Sequence, residues 1–168
     1  MGEHICFRRN ERLATVNPHW RGNPVVRGKF VNRQHRFRPG MGSVLKWRLS
    51  PNPQRKEKKS VKWSPKLNYL RSLDGVVGNS LIWLGHNSFF LQLARKRIMF
   101  DPVFGDIPFV KRQSDFPANP DIFTDIDYLL ISHDHFDHLD KQSVARLVKN
   151  NPGMKLFCGL GTGELIKG

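Results

Sequence analysis

The sequence predicts a mixed α/β (α+β) fold for residues 79–168, preceded by a basic, largely irregular arm and linker over residues 1–78. Three observations predict it. Short apolar runs separated by tight turns recur from Ser80 to Phe100, the mark of a β-meander. A further apolar run, Tyr128-Leu129-Leu130-Ile131, leads through a His/Asp-rich loop into a segment of helical spacing. The formal net charge of +14 sits entirely in the first 78 residues, which hold 18 Lys/Arg against 4 Asp/Glu, while residues 79–168 hold 10 of each.

At 168 residues the chain is long enough for one ordinary domain, which at this size buries roughly 68–70% of its unfolded surface. An apolar content of 39% and a charged content of 25% are globular values. Two distant cysteines, Cys6 and Cys158, make no disulfide framework and point to a reducing, cytoplasmic setting. Ile5-Cys6-Phe7 is too short for a secretory apolar region, and no run approaches the roughly 20 apolar residues of a membrane span. Met1-Gly2 resembles the start of a myristoylation signal, but Cys6 stands where Ser or Thr is wanted.

Residues 1 to about 40 hold neither period for long. They carry Arg8, Arg9, Arg12, Arg21, Arg27, Lys29, Arg33, Arg36 and Arg38, punctuated by Pro and Gly. Trp20, Phe30, Phe37 and Trp47 are interleaved. Arginine with aromatics can bind nucleic acid or anionic lipid. With no nucleic-acid motif present, the preferred reading is an extended arm anchored by its aromatics. Ser43–Leu49 reads as one short helix or strand. Pro51–Lys59 reads as a solvated linker. The alternative is that its Arg55, Lys56, Lys58 and Lys59 meet anionic headgroups, at about 1 kcal/mol per basic residue.

From Ser80 the pattern sharpens. Leu81–Leu84 is a buried strand, Gly85-His86-Asn87 a turn, Ser88–Leu93 a second strand, and Arg97–Phe100 a third. Asp101-Pro102 ends the meander, since proline cannot donate to a ladder. Residues 103–125 form a long loop broken by Pro108, Pro117 and Pro120 and made apolar by Phe104, Ile107, Phe109, Val110 and Phe116. It could wall a groove or pack over the sheet edge, and both readings stay open. After the strand at 127–131, Asp140 suits an N-cap for a helix from Lys141 to about Lys149, with Val144, Leu147 and Val148 at helical spacing. Asn151-Pro152-Gly153 stops it. Lys155–Cys158 is the next strand, and Glu164 opens another helix. Gly159-Leu160-Gly161-Thr162-Gly163 lacks the lysine and spacing of a nucleotide loop.

The chemistry lies in His133-Asp134-His135-Phe136-Asp137-His138. Three histidines and two aspartates within six residues, just past a buried strand, read as a metal site. Imidazole with carboxylate suits zinc, and less strictly iron or manganese. His133 and His135, two apart, point the same way in extended chain and can clamp one ion. Asp137 and His138, after a bend, can face a second. Two ions together lower the pKa of bound water to about 7 and hold the attacking and leaving oxygens. A histidine-rich loop that merely caps the next helix is the usual fate of one histidine, not of this pattern.

These six residues resemble the signature of the metallo-β-lactamase superfamily. Trp83-Leu84-Gly85-His86-Asn87-Ser88 and Phe100-Asp101-Pro102-Val103-Phe104 resemble the branch holding N-acyl-phosphatidylethanolamine phospholipase D and the ascorbate-phosphate lactonases. The basic stretch from about Asn17 to Trp47 is more like the phospholipase type. The resemblance implies the first half of a four-layer αββα sandwich and a site for two zinc ions. His133 and His135 would hold one ion, Asp137 and His138 the other, with Asp137 also orienting the attacking hydroxide as the catalytic carboxylate. Asp101 would support the loop or a ligand histidine without binding metal. His86 would orient substrate or a ligand; the family often has Ala where Asn87 stands.

The function so implied is phosphodiester hydrolysis of a phospholipid-like substrate, with lactone or ester hydrolysis as the alternative. The partners implied are a lipid or small-molecule substrate, a peripheral membrane contact and an oligomer; nucleic acid is not favoured. The family pattern also brings a later histidine, a later bridging aspartate and a last histidine. After His138 the sequence has no histidine, and its acidic residues there are Asp140 and Glu164. The expectation is therefore a truncated piece, a gene fragment, or a half that pairs with another chain, and a poor catalyst as an isolated monomer. Two other classes stay in view: a nucleic-acid binder acting through the basic half, marked by steep salt dependence, and a non-catalytic remnant.

Overall fold

The computed structural model describes residues 4–14, 17–31, 40–63, 65–108, 112 and 114–166. The chain divides into two compact units, Met1–Lys62 and Trp63–Gly168.

In the first unit, β1 (Ile5–Arg8), β2 (Asn23–Val26) and β3 (Lys29–Phe30) form an antiparallel sheet in that order. These short strands depart from the irregular chain expected here. Strands of two to four residues are too short to register as a period. What closes them is local turn chemistry: Arg27 and Gly28, at φ 50° and 78°, reverse the chain between β2 and β3. Val25 and Val26 are buried, and the Arg21 guanidinium lies 4.6 Å over the Phe7 ring. Part of the arginine–aromatic interleaving is thus spent within the unit. Ser43–Leu49 resolves as helix, within α1 (Met41–Leu49), and α2 (Arg55–Ser60) occupies the expected linker. Neither helix buries a residue. Phe37, Arg33, Arg36 and Arg38 lie outside the described residues.

The second unit is built on five strands: β4 (Ser80–Gly85), β5 (Ser88–Leu93), β6 (Lys96–Phe100), β7 (Tyr128–Ile131) and β8 (Lys155–Cys158), adjacent in that order. The first three pair antiparallel, as short turns require, and β6–β7–β8 pair parallel through crossovers. The unit begins before residue 79. Leu73 belongs to its core, Leu70 bridges Ala118, and Gln92 Nε2 donates to the carbonyls of Val76 and Gly78.

One face of the sheet is covered. Phe90, Met99 and Leu129 lie in one cross-strand row and are fully buried. Against them pack Phe123 and α3 (Lys141–Asn150), which buries Ser143, Val144 and Leu147. Val148, expected on the same face, is 48% exposed. Asp140 caps the helix as the sequence predicted, accepting from the backbone of Gln142 and Ser143. Buried Asn151 ends it: its Nδ2 donates to the carbonyls of Leu147 and Phe123, and its Oδ1 accepts from Ile126 N. α4 (Thr162–Ile166) follows β8.

The other face carries two largely apolar rows across the five strands. One runs Leu81, Leu91, Ile98, Tyr128, Lys155; the next runs Trp83, Phe89, Phe100, Leu130, Phe157. Leu81 is 66% exposed, Trp83 55% and Phe157 54%. A sheet with one covered face and one partly exposed, largely apolar face is compatible with half of a sandwich. A patch this apolar is expected to bind an anionic naphthalene-sulfonate dye at neutral pH without denaturant, with a blue shift that Leu91→Lys reduces. Dye fluorescence no stronger than that of a fully covered domain would contradict it.

Candidate metal centre

The candidate site sits where the parallel strands end. β7 finishes on buried Ile131, and the chain turns at once: the amides of His138 and Leu139 both donate to His135 O, at 2.9 and 2.8 Å. Buried Leu139 anchors the far side of the turn, and Asp140 then starts α3. The turn gathers the imidazoles. The His133 ring centroid lies 4.5 Å from that of His135 and 4.0 Å from that of His138.

Asp101, at the end of β6, is the brace. It is 7% exposed and adopts φ 41°, a left-handed conformation that aspartate tolerates better than most residues. Its Oδ1 accepts from Ser132 N at 2.7 Å. Its Oδ2 accepts from Ser132 Oγ at 2.7 Å and from His138 Nδ1 at 2.8 Å. A carboxylate on Nδ1 keeps the proton there and leaves the Nε2 lone pair free to accept, the arrangement that metal-binding histidines use. Asp101 is locked in turn: Ser88 Oγ donates to its carbonyl at 2.8 Å and accepts from Val103 N at 3.0 Å.

The β4–β5 turn reaches the same place. His86 Nε2 lies 3.1 Å from Asp137 Oδ2, and Asn87 Nδ2 lies 3.2 Å from that oxygen and 2.8 Å from His138 Nε2. His138 Nε2 and Asp137 Oδ2 are 3.6 Å apart. The bond to His86 holds the Asp137 carboxyl below the usual carboxylate range, although burial pushes the other way. It is ionised, and acceptor-only, at neutral pH.

Beside the loop opens a cleft of about 490 Å³ lined by Ile107, Pro108, Asp134, His135, Phe136 and Asp137. The long loop thus divides its work. Ile107 and Pro108 wall the cleft, while Phe104 and Phe116 pack on Phe123 in the core. Phe109 and Val110 lie outside the described residues. Arg112 straps the loop, donating to the carbonyls of Val103 and Gly105 and lying 5.4 Å over Phe116; partial burial lowers its pKa.

The residues singled out in the sequence, His133, His135, Asp137, His138, Asp101 and His86, therefore meet at one end of one sheet. Ser132, Ser88, Asn87 and Arg112 were missed. Ser132 directly precedes His133, the one signal that could have found it. The donor set fits a divalent cation in chemistry, with imidazole nitrogen, carboxylate oxygen and an outer carboxylate on His138. It falls short in number: among the described residues no group of three or more His, Cys, Asp or Glu side chains is set to hold an ion. The residues that would hold one remain His133 with His135, and Asp137 with His138.

Residues 80–156, just under half of the chain, match the family model of the beta-lactamase superfamily domain. The chain is 28% identical over 160 residues to N-acyl-phosphatidylethanolamine-hydrolyzing phospholipase D 1 of Caenorhabditis elegans, covering 86% of this chain and 45% of that protein. It is 36% identical over 78 residues to a metal-dependent hydrolase of Sulfolobus acidocaldarius, covering 46% of this chain and 31% of the other. A Parabacteroides distasonis protein of known crystal structure, provisionally described as a metal-dependent hydrolase, aligns with a TM-score of 0.41 at 19% identity, over 54% of this chain and 35% of that one. The chain spans less than half the length of each of these relatives.

Proposed function

We propose that this chain contributes the metal-binding loop of a metal-dependent hydrolase that cleaves a phosphodiester in a phospholipid-like substrate, with zinc as the metal. The observation that carries the hydrolase reading is the loop at the end of β7 with His138 already braced by Asp101. Two divalent ions bound there would supply Lewis acidity and lower the pKa of a bound water to about 7. The chain's own residues do the rest. His133 and His135 would hold one ion, and Asp137 and His138 the other. Asp101 keeps the His138 proton on Nδ1, and ionised Asp137, beside the cleft, orients the attacking water.

The lipid preference has separate support. α1 exposes Met41, Leu45, Trp47 and Leu49 beside Lys46 and Arg48, and α2 follows with Arg55, Lys56, Lys58 and Lys59. Exposed apolar side chains among basic ones suit a peripheral contact with an anionic membrane surface. The C. elegans relative is itself named for phospholipid hydrolysis. Cleavage of a lactone or carboxylic ester would use the same residues.

The test is zinc per chain by mass spectrometry on protein sized by light scattering in the same run, followed by assay on phospholipid vesicles. Retained zinc that is lost in the His133→Ala/His135→Ala variant, with vesicle hydrolysis lost alongside, is the expected result. Zinc near zero in every sized species would overturn the metal reading. Bound zinc with hydrolysis of lactones but not of vesicles would overturn the lipid reading alone.

A further inference from the structure

The turn that carries the candidate site holds one large side chain that its folding does not use. The amides of His138 and Leu139 donate to His135 O, and buried Leu139 anchors the far end. Backbone bonds and one core side chain thus set residues 135–139. Phe136, inside that turn, is 70% exposed. Among the described residues it belongs neither to the core cluster nor to the apolar side chains packed on it. A lone exposed aromatic on an outer surface means little. This one lines the cleft of about 490 Å³.

The cleft has two unlike walls. Asp134, His135 and Asp137 make a polar one, and Asp137 is ionised. Ile107, Pro108 and Phe136 make an apolar one. Ile107 is only 6% exposed, yet it too stands outside the core cluster. Ligand clefts usually hold about 300–1,000 Å³ and set apolar lining against a few polar groups that fix orientation. Phe136 also sits between His135 and Asp137 in the chain, one Cα step of about 3.8 Å from each. A substrate whose reacting bond lies at those side chains puts its next few atoms within reach of the phenyl ring.

We propose that Phe136, with Ile107 and Pro108, forms a specificity-determining apolar subsite for the hydrocarbon beside the scissile phosphodiester, the glycerol carbons and first methylenes of an acyl chain. This deepens the phospholipid reading above and rests on it. A hydrocarbon chain suits the apolar wall, since covering the ring removes apolar surface from water. It also brings no negative charge toward the carboxylates of Asp134 and Asp137.

The experiment places 4-fluorophenylalanine in place of Phe136 in the full chain, in buffer containing zinc, and follows its ¹⁹F resonance. The probes are dihexanoylphosphatidylcholine, kept below its micelle-forming concentration, and glycerophosphocholine, the same headgroup without acyl chains. The reporter is expected to shift saturably with the first probe at a concentration lower by about tenfold or more than with the second. Phe136→Ala is made in a Leu91→Lys background, which suppresses binding to the sheet face that carries Leu91. It is expected to weaken calorimetric binding of the first probe about tenfold and to leave the second unchanged. Phe136→Leu should lose about threefold, and it serves if circular dichroism shows the alanine variant unfolded. Equal response to the two probes, a silent reporter, or unchanged affinity in the folded variant would overturn the subsite. Phospholipid vesicles then decide what else falls. Vesicles still cleaved by the native chain leave the lipid reading standing, and vesicles left intact take it down as well.

Discussion

Replacing Asp101 with alanine is expected to cost about 2–4 kcal/mol of stability and to abolish tight metal retention. Three hydrogen bonds end on its carboxylate, from Ser132 N, Ser132 Oγ and His138 Nδ1, at 2.7–2.8 Å. Alanine leaves the Ser132 amide without its partner and takes the carboxylate from His138 Nδ1, in a partly buried setting, at about 1–3 kcal/mol per lost partner. It also forces an unfavourable residue into φ 41°. Asparagine separates the two effects. It tolerates the left-handed backbone and keeps the shape, but it turns one acceptor oxygen into a donor. Asp101→Asn should therefore fold with a small loss of stability and still hold zinc at least tenfold more weakly. Urea denaturation midpoints and zinc retention after dialysis check both variants. A stable Asp101→Ala protein that keeps its zinc would show that Asp101 braces nothing.

The second large effect belongs to the core. Phe123 is fully buried at the centre of an aromatic group: its ring lies 5.7 Å from Phe104, stacked, 6.1 Å from Phe90 and 6.3 Å from Phe116. Phe123→Ala is expected to destabilise the second unit by about 3–5 kcal/mol, against a total stability of only about 5–15 kcal/mol for a domain. Phe123→Leu, which fills much of the volume, should cost about half as much. Phe104 leads into the segment that walls the cleft, so loss of its stacking partner should also loosen Ile107 and Pro108. Chemical denaturation gives the first quantity, and proteolysis within residues 103–116 the second. A loss below 1 kcal/mol would mean that the aromatic group is not the keystone of the core.

Much of the second unit could be read from the sequence because its signals are local. The runs at 81–84, 88–93, 97–100 and 127–131 become β4 to β7 within a residue or two, and Asp140 caps α3 as its residue type predicts. The histidine–aspartate signature is dense enough to mark the candidate site on its own. What stayed hidden depends on tertiary contact. Asn87 looks like an ordinary turn residue until the fold sets it beside His138. Ser88 gives no sign that it will link Asp101 to Val103. Val148 has the right helical spacing, yet the helix turns it toward solvent because Ser143, tied to Phe104 N and Asp140, takes the inward place. The strands of the first unit were illegible for another reason: at two to four residues, with Pro24 inside one of them, they carry no period to detect.

The mixed pairing of the five-stranded sheet also has a consequence in time. β4, β5 and β6 are neighbours in sequence and can zip through two short turns, in microseconds once collapse begins. β7 must then find β6 across residues 101–127, and β8 must find β7 across a helix, so these parallel contacts bear the closure entropy of long loops. His86 and Asn87 ride on the early hairpin, whereas His133 to His138 ride on the late strand. The two sides of the candidate site are therefore expected to form at different moments of folding, and the bond from Asn87 to His138 only when the later one docks. A metal ion added during refolding would meet the histidines before the β4–β5 turn reaches them.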